Sequence, residues 1–250
     1  DYAPVKGTRF YLGYELDPNR DVDGTSLNGG HDGTFVIGAE RAVDTGLSFF
    51  AENAYDLFGA RRSLTSAYGV TYTPGERWSY SADLEFGRVT DSNDPDFDRF
   101  AAGAGVEFDD GDGRSGSARL EYRKEDETGA TTRDRETWAF VGSYSHQVSE
   151  DWRLLASLDA LISESDQSSF LDGRYVEASL GYAYRPVAND RLNVLARYSY
   201  LYDLPGADQV SSDGTSTGDK QRSHIFSLDG IYEVNDRWEL GGKLAYRIGE

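Results

Sequence analysis

Three histidines, His31, His146 and His224, and no cysteine bound the chemistry that this 250-residue chain could perform. Without thiols there is neither a disulfide framework nor a thiolate metal site. Acid–base or nucleophilic work near neutral pH would fall to a histidine with a serine or carboxylate beside it. The stretch "SHIFS" sets Ser223 and Ser227 around His224. Positions one and three apart on a strand point to opposite faces, so no dyad forms there. His146 and His224 fall among apolar residues near strand ends, and His31 lies in a polar loop. There is no G-x-S-x-G elbow and no Gly-rich phosphate loop.

The loop "DPNRDVDGTSLNGG" has a calcium-like spacing, with Asn19, Asp21, Asp23 and Gly24 in the early positions of an EF-hand pattern. Gly30 then stands where that pattern needs a bidentate Glu, so a solvated acidic loop is the better reading. Acidic loops recur at "TDSNDPDFD" and "DLPGADQVSSDGTSTGD". No catalytic residue, cofactor or metal is expected. With 44 acidic against 25 basic residues the formal charge is −19, which repels phosphate backbones and disfavours a nucleic-acid partner.

The elements that would position any site are strands. Apolar residues fall on one parity in segment after segment, the mark of strands with two unlike faces. Trp152, Leu154, Ala156, Leu158, Ala160 and Ile162 alternate with Arg153, Ser157 and Asp159. Trp238, Leu240, Gly242, Leu244, Tyr246 and Ile248 alternate with Glu239, Lys243 and Arg247. This period predicts about thirteen strands, near 8–17, 34–43, 46–58, 63–73, 77–88, 98–108, 115–124, 136–148, 151–163, 174–185, 190–202, 222–233 and 237–248, and an all-β fold in one domain over 1–250. In 46–58 the pattern falters: Asn53 shares parity with Leu47, Phe49, Ala51, Tyr55 and Leu57, while Phe50 falls with Ser48, Glu52 and Asp56. Either a β-bulge near Phe50 re-aims these side chains or the register there is misread.

Many of these strands are about ten residues long, against a usual five or six in globular sheets. A strand tilted across a bilayer needs roughly 9–11 residues. Short turns at 43–46, 73–76, 109–114, 149–151, 187–190 and 235–236 alternate with longer polar loops at 18–33, 89–97, 125–135, 164–173 and 203–221, with 59–62 as a short exception. Aromatics gather at strand ends: Trp78, Trp152 and Trp238 after short turns, Tyr72, Tyr184 and Tyr232 before them, and Tyr200 and Tyr202 toward the opposite rim. Trp and Tyr have an apolar body and a polar tip, which suits two interfacial girdles. The polar parity carries Glu15, Glu40, Glu52, Asp83, Glu107, Arg119, Glu121, Asp159, Glu177, Arg197, Asp229 and Lys243. In a membrane barrel these would line the lumen; in a soluble all-β binding module, the other reading, they would be a solvated outer face. The mean hydropathy of −0.61 and the lack of a long apolar run are compatible with both.

With its alternating strands, turns such as "VNDRW" and "VSEDW", and a membrane-side parity rich in Gly and Tyr, the chain resembles Gram-negative outer-membrane β-barrels along its whole length. More narrowly it resembles the terminal barrel of large repeat-bearing, OmpA-like surface proteins. The resemblance implies an up-and-down antiparallel transmembrane barrel in the bacterial outer membrane, acting as a diffusive channel or membrane anchor without catalysis. It also implies outer-membrane lipid and lipopolysaccharide as partners, with passenger or periplasmic domains outside this sequence. Single-chain bacterial barrels have an even strand number. Thirteen strands and the ending "YRIGE" therefore predict fourteen or more strands when complete: either a closing strand is missing at the C-terminus or the count is short by one.

Overall fold

In a computed structural model, residues 1–16, 21–22, 25–26, 33–56, 61–91, 96–128, 134–165, 173–187, 191–203, 221–235 and 237–249 are described. The strands are β1 (Tyr2–Val5), β2 (Thr8–Leu16), β3 (Asp21–Val22), β4 (Thr25–Ser26), β5 (Gly33–Asp44), β6 (Leu47–Asp56), β7 (Arg61–Tyr72) and β8 (Trp78–Asp91). They continue with β9 (Asp96–Asp109), β10 (Arg114–Thr128), β11 (Arg135–Gln147), β12 (Trp152–Ser165), β13 (Gly173–Tyr184), β14 (Leu192–Asp203), β15 (Gln221–Asn235) and β16 (Trp238–Gly249). No helix occurs among the described residues.

Fourteen strands form one sheet in chain order, β1-β2-β5 through β16, and β3 with β4 forms a separate two-stranded ribbon. Every pairing with a resolved register is antiparallel, as a chain of hairpins requires. The thirteen expected strands are all present. The fourteenth is β1 at the start of the chain, where four residues are too short to show a period. It pairs with β2 across the tight Lys6–Gly7 turn, where Gly7 takes a φ of 81°.

Contacts divide the chain into two units. The first comprises Asp1–Gly105, Glu121–Thr137 and Ser165–Gln167; the second comprises Val106–Leu120, Trp138–Glu164 and Ser168–Glu250. In the first unit Phe10, Ala39, Ala51, Tyr68 and Leu84 stand opposite one another in successive registers, with Tyr11, Gly38, Glu52 and Ala67 on the other face. In the second, Leu154, Tyr182, Ala196, Leu228 and Leu244 form such a row, with Ser157, Ser179 and Ser199 on the other face. Val89 and Ala101 are the buried hydrophobic residues among those described. Large apolar side chains are instead exposed: Leu12 at 63%, Leu180 at 51% and Leu244 at 72%. An apolar face this extensive is incompatible with a water-soluble sheet.

Two expectations need correction. There is no bulge at Phe50, where register runs unbroken from Thr34↔Asp56 to Ala42↔Ser48; the irregularity falls between Ala42 and Asp44, beside the turn. Phe50 therefore lies on the polar face beside Glu52, and Asn53 on the apolar one. Asn53 is tolerated there because its Oδ1 accepts a 2.6 Å hydrogen bond from the Ser66 hydroxyl directly opposite. Second, the connections expected at 89–97 and 125–135 shrink to 92–95 and 129–134, because charged pairs hold β8 to β11 as strand beyond their apolar stretches. Beside the apolar-parity glycines, Gly38 and Gly69 sit on the polar parity.

Candidate functional site

The side chains best placed to act are those of the two polar faces, and the units build them differently. In the first unit, Glu125 on β10 is buried, with its side chain 8% exposed. Arg99 of β9 donates to its Oε1 through Nε (3.0 Å) and Nη2 (2.8 Å), and Arg135 of β11 donates to its Oε2 through Nε (2.8 Å) and Nη2. The planar guanidinium suits this fork, and two cations on one carboxylate offset its desolvation. On the same strand Arg123 forms a separate pair with Glu121 at 2.9 Å, and the Arg99 guanidinium lies 5.7 Å from the Phe97 ring. Further along the same face, the Tyr11 hydroxyl donates to Glu52 Oε2 at 2.7 Å.

Two glycines make room for this packing. A Cβ on Gly38 would lie 2.3 Å from the Tyr11 ring, and one on Gly69 would lie 2.1 Å from the Phe50 ring. The aromatics lie flat across the gaps left by their glycine partners, covering backbone that lacks a side chain.

In the second unit the polar face carries hydroxyls and aliphatics among its charged residues. Ser157 and Ser179 share a 2.8 Å hydrogen bond, and Ser199 is the next residue in that register row. Ser163, Ser199, Ser223 and Ser227 are buried. Arg247 donates to Ser223 Oγ through Nε (3.0 Å) and Nη2 (2.7 Å). Leu155 and Leu195 close over Gly181, their atoms 3.6 and 3.4 Å from where its Cβ would be.

The sequence-predicted polar residues fall as follows. Glu15, Glu40, Glu52, Asp83 and Glu121 belong to the first unit; Glu15 stands opposite Thr34, Glu40 opposite Arg9 and Phe50, and Asp83 opposite Gly69. Glu107, Arg119, Asp159, Glu177, Arg197, Asp229 and Lys243 belong to the second. There Asp159 faces Glu177, Arg197 lies between Gly181 and Ser227, and Lys243 pairs with Asp229 at 3.4 Å. All twelve hold the parity opposite to the apolar residues of their own strands.

Sequence reasoning missed Arg99, Glu125 and Arg135, the strongest polar constellation. The last two were assigned to a loop, although Arg119, Glu121, Arg123 and Glu125 keep the period of two past the last apolar residue, and that was the available signal.

The aromatic residues expected at the rims are on the apolar parity. In the first unit Tyr72 stands opposite Tyr80, whose ring stacks on Trp78 with centroids 6.1 Å apart. In the second, Trp152 packs on Tyr182 and Tyr184 at 4.7 and 4.5 Å. Tyr232 lies between Leu192 and Leu240, and Trp238 is 71% exposed beyond it. At the other ends of the strands Tyr200 faces His224, and Tyr202 faces Arg222.

The two described histidines contact a tyrosine and an arginine. His224 Nδ1 shares a 2.8 Å hydrogen bond with the Tyr198 hydroxyl on the apolar face, across the sheet from Ser223 and Ser227. His146 Nε2 accepts from Arg114 at 3.2 Å. His31, Asn19, Asp23, Gly24 and Gly30 lie outside the described residues, as do residues 59 and 60 of the 59–62 connection, while Arg61 and Arg62 begin β7. Among the described residues no group of three or more potential metal ligands converges.

No protein-family model and no curated protein sequence matches this chain. Solved structures do match. The outer membrane channel DcaP of Acinetobacter baumannii is 14% identical, with a TM-score of 0.56 over 95% of this chain and 71% of its own. The siderophore receptor PirA from Pseudomonas aeruginosa is 10% identical, with a TM-score of 0.51 over 99% of this chain and 57% of its own. A channel and a receptor share a wall and not a ligand, so the likeness speaks to architecture. The fold is the up-and-down antiparallel transmembrane β-barrel of bacterial outer-membrane proteins.

Proposed function

We propose that the chain resides in the bacterial outer membrane and forms the wall of a diffusive channel, with no chemistry of its own. The observation that carries this reading is the segregation of side chains. Large apolar and aromatic residues occupy one parity of long strands, and Arg–Glu networks, hydroxyls and isolated charges occupy the other. Lipid requires the first and a water-filled lumen the second. In this reading the twelve polar-parity residues from Glu15 to Lys243 line the lumen. Trp78, Trp152, Trp238, Tyr72, Tyr184 and Tyr232 form the girdle at the short-turn, periplasmic rim, and Tyr200 and Tyr202 belong to the outer one.

The wall is of mixed charge, so the channel admits polar solutes with selectivity set by local patches rather than by one sign. Single-channel recording of the refolded protein in planar bilayers tests this. Stepwise current is expected. A protein that inserts yet gives no steps is a membrane anchor, and the channel reading fails. A chain that folds as a monomer without detergent removes the membrane reading as well.

A further inference from the structure

The apolar parity of the first unit holds a polar pair where hydrocarbon is expected. Asn53 of β6 accepts the Ser66 hydroxyl at 2.6 Å, and among the described residues its amide makes no other hydrogen bond. Two N–H donors and one oxygen lone pair therefore stay unused. Every neighbour on this face is described: Ile37 and Ser66 stand opposite Asn53 in register, Ala51 and Tyr55 flank it along β6, and Tyr68 and Leu64 flank Ser66 along β7. None of the flanking residues brings an acceptor to the amide.

Depth makes this costly. Asn53 lies six residues beyond Leu47, about 20 Å along a strand tilted about 45°, and so about 14 Å into an apolar band about 25 Å tall. Arg41, two rows nearer the short turns, has a stem long enough to bring its guanidinium to the interface. The side chain of Asn53 is too short for that. Acyl chains offer no acceptor and the hydrocarbon holds no water, so only another protein surface can satisfy the amide.

Toward the short turns the same face is shallow: Ala39, Ala51 and Ala82 lie among Phe10, Phe49 and Leu84 along one trough. Small side chains let a second wall approach closely within a membrane. Two copies related by a twofold axis along the membrane normal keep the same depth, so Asn53 of one can meet Asn53 of the other. Each Nδ2–H then donates to the other Oδ1, whose second lone pair still accepts Ser66.

We propose that this face of the first unit is the contact between two copies of the chain in the membrane, with reciprocal amide hydrogen bonds between the two Asn53 side chains at its centre. It requires this face to lie in lipid, as in the outer-membrane reading, and is independent of whether the lumen conducts.

The chain has no cysteine, so single cysteines report proximity directly. In lipid vesicles at low protein density, refolded Asn53→Cys treated with a short bifunctional thiol reagent is expected to give a covalent dimer, whereas Leu180→Cys, on the apolar face of the second unit, stays monomeric. Photobleaching step counts on chains labelled at the N-terminal amine give the dimer fraction without cross-linking. Asn53→Val weakens dimerisation about tenfold by removing the amide. Ala51→Trp abolishes it by holding the walls apart, and Leu180→Trp leaves it unchanged. Heat-modifiable gel migration reports the folding of each variant, and Asn53→Val should fold as well as the unaltered chain because valine suits lipid. A role for Asn53 confined to its bond with Ser66 would instead lower that stability and leave the dimer fraction unchanged. That result, an unaltered chain that stays monomeric at every density, or equal cross-linking at position 180 would each overturn the interface. A chain that folds as a monomer without detergent would instead remove the membrane reading.

Discussion

The polar faces of the two units are held together by different contacts. In the first, Glu125 is clamped by Arg99 and Arg135, and aromatic rings lie over Gly38 and Gly69. In the second, Ser157 bonds Ser179 and Leu155 with Leu195 closes over Gly181. The first concentrates its energy in few, charged and mutually dependent contacts. The second sets small hydroxyl and aliphatic contacts among its charges, of which Lys243 pairs with Asp229 at 3.4 Å. A concentrated network is sensitive to the loss of one member, because removing a carboxylate strands its cations; a dispersed one loses only the bond deleted.

The largest break in this contrast should come from Glu125→Leu. It leaves Arg99 and Arg135, 26% and 39% exposed, facing each other without an anion. A loss of about 2–3 kcal/mol is expected, below the fully buried range because both arginines keep some water. Urea unfolding of the protein in lipid vesicles, followed by tryptophan fluorescence, measures it; a change under half a kilocalorie would show that the clamp is dispensable.

Glycine substitutions sharpen the same comparison. Gly69→Ala sets a methyl 2.1 Å from Phe50 and should cost about 1–3 kcal/mol as the ring is displaced. Gly181→Ala meets Leu195 and Leu155 at ordinary contact distance and should be nearly neutral. Equal effects at both sites would end the distinction between an aromatic lid and an aliphatic one.

Tyr11→Phe keeps the ring over Gly38 and deletes only the 2.7 Å bond to Glu52, for an expected loss of about 1–2 kcal/mol. Its melting temperature should fall less than that of Gly69→Ala. At the bottom of the scale, Ser157→Ala removes one hydroxyl from the pair with Ser179 and should cost about 0.5–1 kcal/mol. A loss as large as that of Glu125→Leu would mean that the hydroxyls form a cooperative lattice after all.

Much of this architecture is legible in the sequence, for a physical reason. A strand facing lipid on one side and water on the other must alternate, and thirteen segments do so strongly enough to place each strand within a few residues. Trp152, Leu154 and Ala156 against Arg153, Ser157 and Asp159 need no neighbours to be read. β1 is too short to carry the period, and the ends of β10 and β11 carry it only in charges, which reads as loop. Phe50 was the instructive error: an aromatic on the polar parity suggested a bulge, whereas Gly69 opposite supplies the space that makes an unbroken register possible.

The sequence by itself determined the alternation, the hairpin order and the two unlike faces, because these depend on chain-local periods of two. Only the tertiary structure decided which residues meet across strands. The clamp of Arg99 and Arg135 on Glu125, the seating of Tyr11 and Phe50 over glycines and the place of Ala196 between Tyr182 and Leu228 are set by register between strands. A shift of one residue in pairing would turn every side chain to the other face, and no single strand encodes which neighbour it will oppose.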